Sequence, residues 1–149
     1  MKRFDKIMMA TDFSDNSDYA FDYALALARQ FDAELTIVHV INEPADLRGI
    51  YVPEITYEEL EKEINQGAKD MMAKFCKNKL ADYGNYKTVI ASGVPFQEII
   101  AKADETGAAL IVIGTHGRTG LEHLVFGSTA ERVVRAAHCP VLSVRLPVK

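Results

Sequence analysis

The chain is poor in cysteine, and its only two, Cys76 and Cys139, form neither a C-x-x-C pair nor part of a Cys/His cluster. A disulfide framework and a zinc site therefore have no support, and both thiols read as small apolar side chains. Basic residues are nowhere concentrated. With no block of five or more and a net charge of −4, neither nucleic acid nor an anionic membrane is an expected partner. No apolar run approaches the roughly 18 residues that a membrane-spanning helix needs. The opening Met1-Lys-Arg-Phe-Asp-Lys6 leads into a short strand rather than into a signal-peptide core with a cleavage site, so a cytoplasmic location is expected. Two nucleotide motifs are missing as well. No lysine precedes Ser128, which excludes a Walker A loop, and Gly114, Gly117 and Gly120 fall late in the chain at intervals of three, which excludes the dinucleotide fingerprint.

What remains is ordinary for a globular protein: 149 residues, 48% hydrophobic and 26% charged. One domain over residues 1–149 is expected, large enough to bury roughly 70% of its unfolded surface. Strands and helices alternate along it. Strands are predicted at about Lys6–Thr11, Glu34–Ile41, Lys87–Ser92, Ala109–Ile113 and Val141–Arg145. The first helix is capped by Ser14 or Asn16, with Ala20, Ala24, Leu27, Ala28 and Phe31 on its apolar face. A helix over about Tyr57–Tyr83 carries Leu60, Ile64, Ala68, Met71, Met72, Phe75 and Leu80 on one side, the methionines as core filling. Its glutamate-rich start suits the positive end of the helix dipole and has no catalytic role. A third helix starts with Pro95 at its first position and ends near Gly107. Between the second strand and the second helix, Asn42–Thr56 is long enough for a lid or binding loop. Continuous Ile/Val/Leu strands separated by helices imply a parallel sheet covered on both faces.

The chemistry concentrates near the end. After the apolar Ala109–Ile113 comes Gly114-Thr-His-Gly117, then Gly127-Ser-Thr129 at the start of a patterned segment, Ala130–Ala137. A buried strand thus ends in a glycine-rich loop that ends at a helix N-terminus, where unpaired N–H groups and the helix dipole favour an anion. Glycine removes the Cβ that holds a phosphate off the backbone, and it permits positive φ. A second reading stands beside this one: Ser128 and Glu131 fit an S-x-x-E capping box that satisfies the helix end internally.

The pattern G-x-x-G, nine residues, G-[ST] resembles the nucleotide loop of the universal stress protein family, in its ATP-binding branch. Ile7-Met-Met-Ala-Thr-Asp12-Phe-Ser14 resembles the family's opening strand, Val38-His-Val40 the end of its second, and Cys139–Arg145 its closing strand. The resemblance covers nearly the whole chain. It implies an open five-stranded parallel sheet in the order 3-2-1-4-5 with helices on both faces, Rossmann-like and similar to the adenine nucleotide alpha hydrolases. Strands one and four are then neighbours, and Asp12 and Gly114 end them at the crevice where open α/β sheets bind ligands.

The same resemblance implies that Ala10, Thr11 and Asp12 border the adenosine and Val40 lines the adenine pocket. Ile113 and Gly114 pass under the ribose and first phosphate, and Gly117, Gly127, Ser128 and Thr129 hold the phosphates. Ala10 replaces a proline frequent in relatives, which loosens the strand end without removing a nameable contact. Asp12 also has a plain reading, as a turn initiator after a strand. His116 and Arg118 lie in the loop and either touch phosphate, shield its charge, or do neither. His39, between Val38 and Val40, reads as a satisfied core histidine. Arg132, Arg135 and His138 sit along or after the last helix, whose negative end favours cations.

Three functions follow as expectations. The first is an ATP-binding regulatory module, with or without Mg2+, in which nucleotide orders Asn42–Thr56 or the glycine loop and alters docking of an unknown protein partner. The second is an ATP hydrolase or phosphotransfer enzyme. Paired carboxylates and a well-placed lysine are missing, so no catalytic residue is assigned and hydrolysis should be slow. The third is a nucleotide-free scaffold, against which the glycine signature argues. No metal ligands are assignable. Strand five is an expected sheet edge, and relatives commonly pair it, so a homodimer through residues 141–145 is expected.

Overall fold

The computed structural model describes residues 2–42, 57–116 and 126–147. Nine elements occur in these residues: β1 Lys6–Ala10, α1 Asp15–Phe31, β2 Glu34–Ile41, α2 Tyr57–Lys79, β3 Tyr86–Ser92, α3 Pro95–Thr106, β4 Leu110–Gly114, α4 Ser128–Ala136 and β5 Val141–Val144. The strands form one parallel sheet in the order β3-β2-β1-β4-β5, as expected.

The central strands are buried along nearly their whole length and mostly apolar, Thr36 and His39 being the buried polar exceptions, because both of their faces are covered. Successive side chains point to opposite faces. Ile7 and Met9, Leu35 and Ile37, and Leu110 and Val112 therefore pack beneath α1 and α2, with Phe21, Ala24, Met72 and Phe75. Met8 and Ala10, Val38, and Ile111 and Ile113 face α3 and α4, where Ile99, Ala103, Ala130 and Val133 meet them. Phe21 is fully buried and meets the ring of Phe75 edge-on at 4.9 Å. β3 and β5 are the two sheet edges. On β3, Lys87 pairs with Glu34 at 3.1 Å, a charged edge of the kind that discourages further strand pairing.

Of the two capping candidates for α1, Ser14 is the residue used: its hydroxyl accepts from the Ser17 amide at 3.3 Å. Three helix details differ from expectation. Phe31 is 45% exposed; it closes the last turn of α1 and stacks at 5.3 Å on Phe4 instead of entering the core. Met72 is buried but Met71 is 47% exposed, since adjacent helix positions lie about 100° apart and cannot both face the sheet. α2 also stops at Lys79 rather than near Tyr83. Released from the helix, Tyr83 turns back so that its hydroxyl donates to the carbonyls of Ala28 and Ala33, a tertiary contact that overrides local periodicity. α3 starts with Pro95 and ends on Gly107 in the left-handed region (φ 68°), as its sequence predicts.

Candidate functional site

The strand order reverses between β1 and β4: β1 crosses over to β2 on one side, β4 to β5 on the other. The two connections part there, and a cavity of about 200 Å³ opens beyond the strand ends. β1 and its following turn contribute Ala10, Thr11 and Asp12, and α1 adds Ser17. β2 contributes Val38, Val40 and Asn42; α3 contributes Pro95 and Ile99. From β4 come Ile113, Gly114, Thr115 and His116, and from the start of α4 Gly127, Ser128, Thr129 and Ala130. Among the residues expected from the sequence, Gly117 and Arg118 lie outside the described residues, as does most of Asn42–Thr56; every other one lines this cavity.

The β1–α1 turn is tied down at each step. The Oδ1 of Asp12 accepts from the Ser14 amide and from the Ser17 hydroxyl, both at 3.0 Å. Asp12 thus fills its plain role as a turn initiator while also lining the cavity. Ser17 is buried, and its hydroxyl also lies 3.1 Å from that of Thr11. Phe13 adopts φ 63°, unusual for a residue with a Cβ and costing about 1–2 kcal/mol. The Thr11 hydroxyl accepts the Phe13 amide at 3.0 Å, and the Phe13 ring packs on His39 at 4.6 Å and on Phe75 at 6.0 Å. His39 Nδ1 lies 2.8 Å from the Thr11 carbonyl oxygen. That oxygen can only accept, so Nδ1 carries the proton. His39 is the satisfied core histidine its strand position suggests, and it also pins the strand end that leads into Asp12.

The glycines act differently from the sequence expectation. Gly114 lies at the end of β4, and a Cβ there would stand 3.1 Å from the Asn16 carbonyl oxygen. Gly127 has φ −72°, and a Cβ there would stand 3.2 Å from the Thr115 carbonyl oxygen. Neither uses positive φ. Both permit backbone to meet backbone, closing the cavity wall, and the Gly127 amide donates to that same Thr115 carbonyl.

The capping box is not formed. Gly127, not Ser128, is the N-cap of α4, and among the described residues no side chain caps the helix. Ser128 is already the first helical residue, while Glu131 pairs with Arg135 at 3.0 Å. The reason is steric: the close approach of Gly127 to Thr115 starts the helix one residue early. The first turn of α4 therefore faces the cavity without a side-chain cap, flanked by the hydroxyl-bearing Ser128 and Thr129.

His116, read from the sequence as a loop side chain, is buried, with Nδ1 3.0 Å from the Thr115 hydroxyl. Among the described lining residues Asp12 is the one carboxylate, and neither lysine nor arginine is present. No cluster of three metal-ligating side chains occurs among the described residues, and none of their helices is long and apolar enough to cross a membrane. The thiols lie elsewhere, Cys76 buried and Cys139 half-buried. Burial pushes both up from their ordinary value, which makes them poor nucleophiles at neutral pH.

Ser17, Val38, Pro95, Ile99, Thr115 and Ala130 join the site without a site role having been read for them in the sequence, and Asn42, the first residue of the expected binding loop, joins it too. Pro95 and Ile99 share a helix face by their spacing of four, a usable signal only once α3 is known to border the crevice. Ser17 stands three residues after the N-cap Ser14, the position whose amide the cap takes.

The arrangement has counterparts. The universal stress protein family model matches residues 3–145. Universal stress protein YxiE of Bacillus subtilis is 38% identical over 148 residues, covering 95% of this chain and 99% of that protein. Universal stress protein MJ0577 of Methanocaldococcus jannaschii is 31% identical over 95% of both chains. Its solved structure superposes with a TM-score of 0.85 at 29% identity, over 98% of this chain and 99% of that one. A universal stress protein solved in complex with cAMP is 25% identical, with a TM-score of 0.61 over 96% of this chain and 98% of that one. The match in sequence runs through every described element and coincides with the same fold: the chain belongs to the universal stress protein family.

Proposed function

We propose that the chain is an ATP-binding member of this family, a nucleotide-responsive regulatory module of the stress response with slow or no intrinsic hydrolysis. The observation that carries the reading is the first turn of α4, without a side-chain cap, opening into the cavity where the strand order reverses. Its amides and dipole favour a phosphate, and the hydroxyls of Ser128 and Thr129 flank it. At the other end, Val38, Val40, Ile99 and Ile113 give an apolar wall that suits a base. The cAMP complex of a relative supports an adenine nucleotide as the ligand class.

In this reading Ala10, Thr11, Asp12 and Val40 take the adenosine, and Ile113 and Gly114 underlie the ribose and first phosphate. Gly117, Gly127, Ser128 and Thr129 take the remaining phosphates, beside His116 and Arg118, with or without Mg2+. Phosphoryl transfer asks for a positioned base and a cation clamp. The Oδ1 of Asp12 is committed to the β1–α1 turn, which supports occupancy rather than turnover as the signal. The protein would work in the cytoplasm, as a homodimer joined along β5, signalling to a protein partner.

Thermal unfolding with and without ATP and Mg2+ tests the site. Ligand at about a hundred times its Kd adds roughly 2.7 kcal/mol, or roughly 5–10 °C in a chain of this size. Ser128→Asp is the control, because an aspartate in the first turn suits the helix dipole yet repels phosphate. Gly127 is unsuitable as a control, since a Cβ there would crowd the Thr115 carbonyl oxygen at 3.2 Å and disturb the backbone as well as the site. Wild type should shift and Ser128→Asp should not. No shift of wild type at saturating ATP would overturn the reading.

A further inference from the structure

We propose that Arg132 is a phosphate-pairing arm of this site in addition to Arg118, an inference that rests on the nucleotide reading above. The described cavity lining holds one carboxylate, Asp12, and neither lysine nor arginine. A polyphosphate seated on the first turn of α4 would gain from a cation nearby.

Arg132 stands four residues after Ser128 and three after Thr129, the two hydroxyl-bearing residues of that turn. Residues three and four apart share a helix face, and helical side chains lean toward the N-terminus. The Arg132 side chain therefore runs back toward the mouth of the cavity. Its sequence position alone suggests a partner for the negative end of the dipole, but α4 spans Ser128–Ala136 and places it mid-helix.

Its present contact fixes which side of α4 it occupies. The guanidinium lies 5.3 Å from the ring centroid of Phe96 on α3. Phe96 follows Pro95, and both Pro95 and Ile99 line the cavity. Arg132, itself exposed, thus reaches from α4 across to Phe96 on α3, next in sequence to the cavity-lining Pro95. The adjacent carboxylate, Glu131, points to another face of the helix and is paired with Arg135. A guanidinium on a ring face keeps its edge donors available, so it can turn to phosphate oxygens while its stem stays packed. The consequence is selection for the charged phosphate chain as distinct from the base.

Isothermal titration of ATP into the full chain, at low and at high KCl, tests this with Arg132→Gln and Arg132→Lys. At low salt Arg132→Gln should bind ATP about fivefold more weakly, the upper end for one lost charge-assisted contact at a solvent-facing site. The gap should close as salt rises, because the missing interaction is a screened one. Arg132→Lys should recover most of the affinity. If Arg132→Gln binds ATP like wild type, the arm does not exist. A loss that is the same at every salt concentration, and that lysine fails to rescue, would make Arg132 a packing residue on Phe96 and overturn the proposal. ATP binding by wild type separates these outcomes from failure of the nucleotide reading itself, in which wild type gives no heat at all and both proposals fall.

Discussion

Single residues here serve two purposes at once, and local pattern reveals only one of them. Asp12 is a turn initiator by its hydrogen bonds and a cavity residue by its place at the end of β1. His39 is legible as a core histidine from its strand, yet its hold on the Thr11 carbonyl depends on β1 lying beside β2. His116 was legible as a candidate beside the cavity that it lines, whereas its burial and its contact with the Thr115 hydroxyl were not. Cys76, Cys139 and Tyr83 show what burial does to ionisation. Each is pushed up from its ordinary value, 9.0 for the thiols and 10.0 for the phenol, with burial the leading cause. The unfolded chain ionises these groups first, so their contribution to stability is complete below the ordinary values and is lost as pH rises through the folded ones. Denaturation midpoints should therefore fall from about pH 9 upward, and Cys76→Ala should flatten that decline. A midpoint that stays level to about pH 11 would contradict it.

At the scale of elements, glycine illustrates how one residue type meets different demands. Gly107 ends α3 in the left-handed region, and a Cβ there would meet nothing within 4 Å. Gly107→Ala should cost about 1 kcal/mol of backbone strain and nothing more. Gly114→Ala instead forces a methyl to 3.1 Å from the Asn16 carbonyl, pressing β4 away from the start of α1. That should cost about 1–3 kcal/mol and also weaken the response to ATP, because the cavity wall moves with it. Urea midpoints and nucleotide-induced thermal shifts of the two variants separate these effects; equal behaviour in both assays would sink the distinction. The first role was readable, since glycine after a helical run is a common stop signal. The second was not, because Asn16 is distant in sequence. The same holds for the capping box of α4: the motif is present, but contact between Gly127 and Thr115 sets the helix start.

For the whole molecule, the sheet order leaves β3 and β5 as edges with different character. β3 carries the Lys87–Glu34 pair, whereas β5 presents Val141, Leu142 and Ser143 half-buried. Pairing of β5 with the same strand of a second copy would cover that edge. Sedimentation at micromolar concentration should give twice the 16.5 kDa of one chain, and a mass of one chain would remove the dimer from the proposal. The covering of both sheet faces was legible at this scale too, because alternation of strand and helix admits few other architectures.

The sequence by itself determined the element order, the place of each strand to within a residue at either end, the two-faced core and the glycine signature of the family. The first three follow from backbone propensity and from apolar periodicity, which act over a few residues; the glycine signature was legible only through its resemblance to the family's loop. Tertiary structure alone decided which side of the crevice α3 occupies, that Ser17, Pro95 and Ile99 join the cavity, and that Met71 and Phe31 stay outside the core. It also decided that Gly114 and Gly127 serve backbone contact rather than positive φ, and that Arg132 lies on Phe96. These facts depend on distances between segments far apart in the chain. Packing sets those distances, and local sequence does not encode them.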